Sequence, residues 1–197
     1  MRPSATHAGT RTIGEEHDRL SAVMQAMRYF VRATANGAKP PSCKVFRAML
    51  LYIIDYPEKL HHPKEEQLFS LLQARTGSVD AAIGQLRAQH VTGEAKVREL
   101  EHLLTRYELD REAAFAPFAK AVEDYVTFSF DHMRLEEQAV LPAADQFLTE
   151  QDWKAVDQLF AANRDPLAGT DYKASTDRLF SLIVNITPAP IGVGPEI

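Results

Sequence analysis

Seven histidines, and glutamates placed one helical turn from them, are the residues of this sequence best suited to chemistry. Four pairs have the spacing HxxxE: His61–Glu65, His62–Glu66, His90–Glu94 and His132–Glu136. On an α-helix that spacing puts an imidazole and a carboxylate on one face, one above the other. Neutral imidazole with carboxylate is a donor set for iron, manganese or zinc, and without thiolate it disfavours copper(I). The one cysteine, Cys43, excludes an internal disulfide framework and every cysteine-rich zinc or iron–sulfur site.

These side chains meet only if the elements carrying them pack together. Apolar residues recur every three or four positions and no alternating strand run occurs, so the sequence reads as all-α. Long segments cover about 12–35, 42–75, 78–107 and 111–144, and the second is kinked where Pro57 and Pro63 bracket a turn. Short connections between them predict an up-down antiparallel four-helix bundle. Ser78 and Asp110 read as N-caps, since their side chains can accept from free amides of the next turn. One shorter helix follows Thr149, docked by Trp153. After a break at Asp165-Pro166, another covers about 172–186. The chain thus divides into an extension over 1–11, the bundle over 12–147, appended helices over 148–187 and an extended tail over 188–197.

The inward seams decide which histidines matter. The third helix reads Ile83, Leu86, His90, Gly93, Val97, Leu100, Leu104, and the first reads Ile13, His17, Leu20, Met24, Met27, Val31. The fourth reads Phe118, Val122, Tyr125, Ser129, His132, Glu136, Ala139. The second, after its kink, reads His61, Glu65, Leu68, Leu72. The rival pair His62 and Glu66 continues to Phe69 and Gln73, a less apolar face, so His61 and Glu65 are preferred. His7 and His102 fall off the seams and read as solvated. Each helix therefore brings one histidine inward, and two bring a glutamate as well.

Burying Glu65 and Glu136 without positive partners costs several kcal/mol each, of order the stability of a whole domain. No lysine or arginine lies on the seams, so a bound cation is the natural counter-charge. Four histidines and two carboxylates exceed the needs of one four-coordinate zinc and describe a dinuclear site with room for an exogenous ligand. A mononuclear zinc site and a metal-free, partner-binding bundle with hydrogen-bonded core histidines are the alternatives. Two ExxH pairs, Glu58–His61 and Glu99–His102, offer a ferritin-like reading, but Glu58 lies in the proline-bracketed turn and Glu99–His102 points off the seam.

The remaining composition sets the context. The 197 residues carry a net charge of −5 with no Lys/Arg run, which argues against a nucleic-acid surface. The longest apolar run, Ala48–Ile54, is 7 residues, against roughly 20 for a membrane helix. With no apolar leader visible, the expectation is a cytoplasmic protein. Its partner is then a small ligand rather than a nucleic acid or a membrane, and no protein partner is indicated.

On these residues the chain resembles the hemerythrin-like (HHE) family, in its bacterial single-domain type, over about 12–147. The resemblance lies in Glu15-Glu16-His17, His61-His62-Pro63-Lys64-Glu65-Glu66 and Gln89-His90-Val91-Thr92-Gly93-Glu94. It continues in His132-Met133-Arg134-Leu135-Glu136-Glu137 with Val140-Leu141-Pro142, and downstream in Asp152-Trp153 and Asp165-Pro166-Leu167. It implies a four-helix bundle around a non-haem di-iron centre, oxo- or hydroxo-bridged, that binds or senses O2, NO or peroxide. His17, His61, His90 and His132 would be terminal ligands and Glu65 and Glu136 bridges. Glu94, His62, Glu66 and Tyr125 would be additional or outer partners, and manganese or zinc could replace iron. The oxygen-carrying hemerythrins have HxxxH on the third helix and HxxxxD on the fourth, whereas Glu94 and Glu136 stand here. That departure points away from simple O2 carriage, towards sensing, NO or redox chemistry or iron handling, and leaves open an enzyme that consumes peroxide or NO.

Overall fold

The computed structural model describes residues 7–161 and 172–195. Among them the chain is all-helical, with one isolated bridge between Pro188 and Gly194. The helices are α1 Ala8–Ala35, α2 Cys43–Tyr56, α3 His62–Gln73, α4 Asp80–Asp110, α5 Glu112–Leu135, α6 Leu141–Phe147, α7 Glu150–Ala161 and α8 Tyr172–Ile186. A π-helical turn, Pro57–His61, joins α2 to α3, and a second, Glu136–Val140, joins α5 to α6. Four rods result: α1, α2–α3, α4 and α5–α6.

Cross-contacts fix how the rods run. Between α1 and α5–α6 the pairs are Arg32–Glu123, Ser21–Met133 and His17–Glu137, one number rising as the other falls. Arg47–Glu108 and Glu66–Arg87 do the same for α2–α3 against α4. Phe30–Phe46 and Glu16–His61 do so for α1 against α2–α3, and Tyr107–Phe118 with Gln89–His132 for α4 against α5. Neighbouring rods are antiparallel, and the expected all-α bundle is formed. No helix among the described residues is long and apolar enough to cross a membrane.

Both π-turns have a local cause. Pro63 and Pro142 each stand two residues beyond a π-turn, in the first turn of the α-helix that follows. A proline there lacks the amide that would bond four residues back, and its ring pushes that carbonyl away. The carbonyls concerned belong to Lys59 and Gln138, both inside the π-turns. Widening the turn by one residue relieves the clash without ending the rod. Such turns recur at functional sites because they re-aim side chains.

Several local expectations are corrected. α1 begins at Ala8 rather than Thr12, because Gly9 already packs under α7. Ser78 does not cap α4: its amide donates to the Thr76 hydroxyl, and Val79 takes the cap position. Asp110 is the last residue of α4, where it accepts from Arg106, and the chain reverses at Arg111 with φ 50°. His7 is not simply solvated but stacks on Trp153, ring centroids 4.3 Å apart. The tail after Thr187 is not extended: the amides of Val193 and Gly194 donate back to the carbonyls of Val184 and Thr187. Asp165-Pro166-Leu167 lies outside the described residues.

The apolar interior divides into two cores. One holds Leu20 to Val31 of α1, most of α2, Val97 to Tyr107 of α4 and the first half of α5. The other holds Ile13, Leu68, Leu72, Ile83, Leu86, Val140 and the inner face of α7. On every rod the gap between them falls at the same level: His17, then His61 and Glu65, then His90, then Glu136. The bundle is a pair of apolar plugs with a polar layer between.

α7 closes the second core. Thr149 caps it reciprocally, its amide donating to Asp152 Oδ2 and its hydroxyl accepting from the Asp152 amide. Arg75 donates two bonds of 2.9 Å to Asp152, tying α7 to the end of α3. Trp153, the sole tryptophan, is 2% exposed and lies against Gly9. A Cβ at Gly9 would stand 2.8 Å from Val156 Cγ1 and 3.1 Å from the Trp153 ring. Gly9→Val is therefore expected to cost about 1–3 kcal/mol by overpacking. Trp153 fluorescence should shift to the red while far-ultraviolet circular dichroism stays helical; an unshifted emission would contradict this packing.

Candidate metal centre

The polar layer is built from three of the rods and completed by the fourth. α1 supplies His17, the end of the first π-turn supplies His61, and α3 supplies Glu65. The start of the second π-turn supplies Glu136, and all four are 0–2% exposed. One donor atom from each lies within 4.8 Å of the others. His62, Glu65 and His90 form a second such group, so Glu65 belongs to both.

Distances show how Glu65 is shared. Its Oε1 is 2.6 Å from His61 Nε2 and 3.8 Å from His17 Nε2, while its Oε2 is 3.1 Å from His90 Nε2. Glu136 Oε2 lies 3.2 Å from His17 Nε2. His90 is stacked on His62, ring centroids 3.9 Å apart, and faces His132 at 5.0 Å.

The outer ring nitrogens explain why the inner ones point inward. His17 Nδ1 donates to Glu137 at 2.9 Å and His61 Nδ1 to Glu16 at 2.8 Å. His132 Nδ1 donates to the Gln89 side-chain carbonyl at 3.1 Å. An ionised carboxylate and an amide oxygen can only accept, so each Nδ1 carries the proton and Nε2 is left with a lone pair. Buried Lys64 ion-pairs with the other oxygen of Glu16, a cation close to the layer although off the seams. It serves Glu16, and leaves Glu65 and Glu136 without a basic partner among the described residues.

The inner atoms are accordingly unsatisfied. His17 Nε2, His90 Nε2 and both oxygens of Glu65 and of Glu136 are buried without a hydrogen bond. Orphaned buried polar atoms are rare and costly, and six in one layer, all of them metal-ligand types, fit a cation between them. Titration gives the same answer. Burial disfavours a charged His17 or His61, yet the surrounding carboxylates outweigh it, raising His17 well above its ordinary value and His61 to about 9. Burial opposes ionisation of Glu65 too, but His61, His17 and His90 hold it well below the carboxylate range. Glu136 is pushed up to about 7 by burial and by repulsion from Glu65. Burial drives His132 down to about 3, so its ring is neutral near pH 7. Without a metal, protons take the cation's place.

Other expected residues fall around this layer. Tyr125 is buried and lines the same cavity as His132. Glu94 is on the rim, 43% exposed and 3.6 Å from Arg98, and is not brought into either group. Glu66 accepts from Arg87 and stands 3.9 Å from His90 Nδ1. His62, ranked behind His61 on its face, enters the second group because the π-turn lets consecutive residues reach one layer. Glu99 and His102 are exposed, which removes that half of the ferritin-like pairing; the Glu58 side chain lies outside the described set. Glu16, Glu137, Lys64 and Gln89 lie off the seams. Adjacency was their signal, since each stands directly beside an inward histidine or glutamate.

Proton displacement makes the centre testable. His61, raised from 6.5 to about 9, contributes stability to the metal-free fold that is complete below pH 6.5 and is lost as pH rises through about 9. The metal-free protein should therefore lose stability from pH 7 to 9, as His61 gives up its proton. Metal binding must displace those same protons, so apparent Zn2+ affinity should rise over the same interval. Calorimetric titration in buffers of different ionisation enthalpy would read the proton release. Glu137→Gln should weaken binding about 10–100-fold.

The family model of the hemerythrin HHE cation binding domain matches residues 8–144, a span that contains every histidine and glutamate of the polar layer. No curated protein and no solved structure matches the chain. With most of its length, and the whole of the buried cluster, inside the match, this chain belongs to the hemerythrin HHE cation-binding family.

Proposed function

We propose that the chain holds two metal ions, iron in the cell, and binds or senses O2, NO or peroxide through them. The Glu65 carboxylate carries this reading, with Oε1 2.6 Å from His61 Nε2 and Oε2 3.1 Å from His90 Nε2. A carboxylate whose oxygens face imidazoles on different rods has the form of a bridge between two cations. His17, His61 and Glu136 would hold one ion and His90 and His62 the other, with His132, whose ring lies 5.0 Å from that of His90, beside the second. Iron so held supplies reversible electron transfer and exchangeable coordination positions for a small ligand. Mixed nitrogen and oxygen donors without sulfur support iron or manganese over softer metals, with zinc an accessible substitute.

The chain's own residues set the conditions for that chemistry. Glu137, Glu16 and Gln89 hold the Nδ1 protons and so fix three rings with their Nε2 atoms inward. The two apolar cores keep His17, Glu65 and Glu136 fully buried, which strengthens the charge interactions among them. Tyr125, in the wall beside His132, offers a hydroxyl near the side where a ligand enters.

Metal analysis of the purified chain should give two ions per chain, and the ultraviolet–visible spectrum of the iron form should change between reduced, O2-exposed and NO-exposed samples. One ion per chain would overturn the dinuclear reading, and spectra indifferent to both gases would overturn the ligand-binding one. Glu65→Ala should cut the stoichiometry to one ion or none while circular dichroism stays helical. A Glu65→Ala protein that retains two ions would refute the bridge.

A further inference from the structure

A cavity of about 330 Å3 opens beside the second donor group. Its inner end is formed by His61, His62, His90 and His132. Its walls are apolar, with Leu20, Met24, Ile53, Val97, Phe128 and Met133 prominent among them. Glu94, Arg98 and Glu101, on one face of α4, form its mouth. Of the first donor group only His61 lines it, whereas His62 and His90 of the second both do.

Its size exceeds what a diatomic needs. A dry apolar cavity of roughly 150 Å3 holds a benzene ring, and small-molecule pockets begin near about 300 Å3. Gln89, Tyr125 and Ser129 add polar atoms to those of the histidines, whereas Leu20, Met24, Ile53, Val97 and Met133 give a water none of the two to four partners it needs. Charge at the mouth argues for a neutral occupant. Arg98 is 3.6 Å from Glu94 and the added Glu101 leaves the rim acidic, which repels anions. Glu94 and Glu101 are the only carboxylates in the lining, so an organic cation would have no counter-charge beyond the mouth.

We propose that this cavity binds an uncharged organic molecule with an apolar body of about eight to twelve non-hydrogen atoms, the size of indole or a substituted phenol. Its single hydrogen-bonding group turns to the His62, His90 and His132 end. That orientation rests on the metal-centre reading above; the occupancy of the cavity does not.

The methionines give a local readout. Of five in the chain, Met24 and Met133 line the cavity, whereas Met27 and Met49 are fully buried elsewhere in the core. Indole and 4-methylphenol would be titrated into the full chain labelled with 13C at the methionine methyls, metal-free and zinc-loaded. The expected result is a saturable shift of the Met24 and Met133 signals with Met27 and Met49 unmoved. Gly93→Leu would fill the cavity, since a Cβ there meets only Phe128 at 3.5 Å. It should weaken probe binding at least about tenfold while zinc stoichiometry stays at the unsubstituted value. Absence of a saturable shift in both forms would overturn the proposal, as would equal shifts at all four methionines or undiminished binding to Gly93→Leu. Saturable shifts in a protein that binds one ion or none would support the cavity and count against the dinuclear reading alone.

Discussion

Glu65 is a carboxylate with no exposure, in contact with three imidazoles and with no lysine or arginine paired to it among the described residues. Leaving that charge unpaired would cost several kcal/mol, a large part of the stability of a domain this size. The surrounding structure is arranged around this constraint. Imidazoles converge on the carboxylate from three rods, each steered by a hydrogen bond on its far side or by a stacked ring. Glu16 and Glu137 add further negative charge behind them, and Lys64 offsets the first of these. The net result is a pocket that must contain positive charge, delivered by protons or by metal. Above and below it, two well-packed cores supply the stability that such a layer consumes.

Much of this was legible in the sequence because a helix converts spacing into direction. The three-and-four steps through Ile13, His17 and Leu20, or through Leu86, His90 and Val97, place the histidines inward with no knowledge of the neighbouring rods. Burial bears this out for His17, His61, Glu65 and Glu136, all at 2% exposure or less. What lay beyond reach depended on breaks in that periodicity. The π-turns at Pro57–His61 and Glu136–Val140 shift the register by one residue, bringing His62 as well as His61 to the layer and placing Glu137 behind His17. A seam drawn with a fixed period misses residues beside the seam. Lys64 carries only the weaker signal of standing beside Glu65, because its burial is set by a partner 48 positions away.

The chain ends were misjudged through a related limit. Asp110 has the chemistry of an N-cap, but α4 continues through it and the reversal is delegated to Arg111 at φ 50°. The residues after Thr187 carry prolines and glycines that suit an open tail, yet they fold onto the end of α8 because that helix leaves carbonyls to be satisfied. Local chemistry names the residues able to form a cap or turn; competition for the same backbone groups decides which of them does.

The two donor groups that share Glu65 differ in their surroundings, and the difference has a direction. Around His17 and His61 the outer acceptors are carboxylates, Glu137 and Glu16, and the inner atoms have no access to the cavity except along the edge of His61. Around His90 and His132 the outer contacts are weaker: a neutral amide at 3.1 Å and a half-exposed carboxylate at 3.9 Å. A carboxylate behind an imidazole raises its basicity and favours the higher charge state of whatever it holds. The enclosed group therefore has the more basic imidazoles, and the group of His62 and His90 is the one that borders the cavity. A single sequence of antiparallel rods thus produces two unlike halves of one layer. Proline-induced turns place the inward histidines and glutamates, while the acids and the amide behind them set the electrostatic difference between the halves.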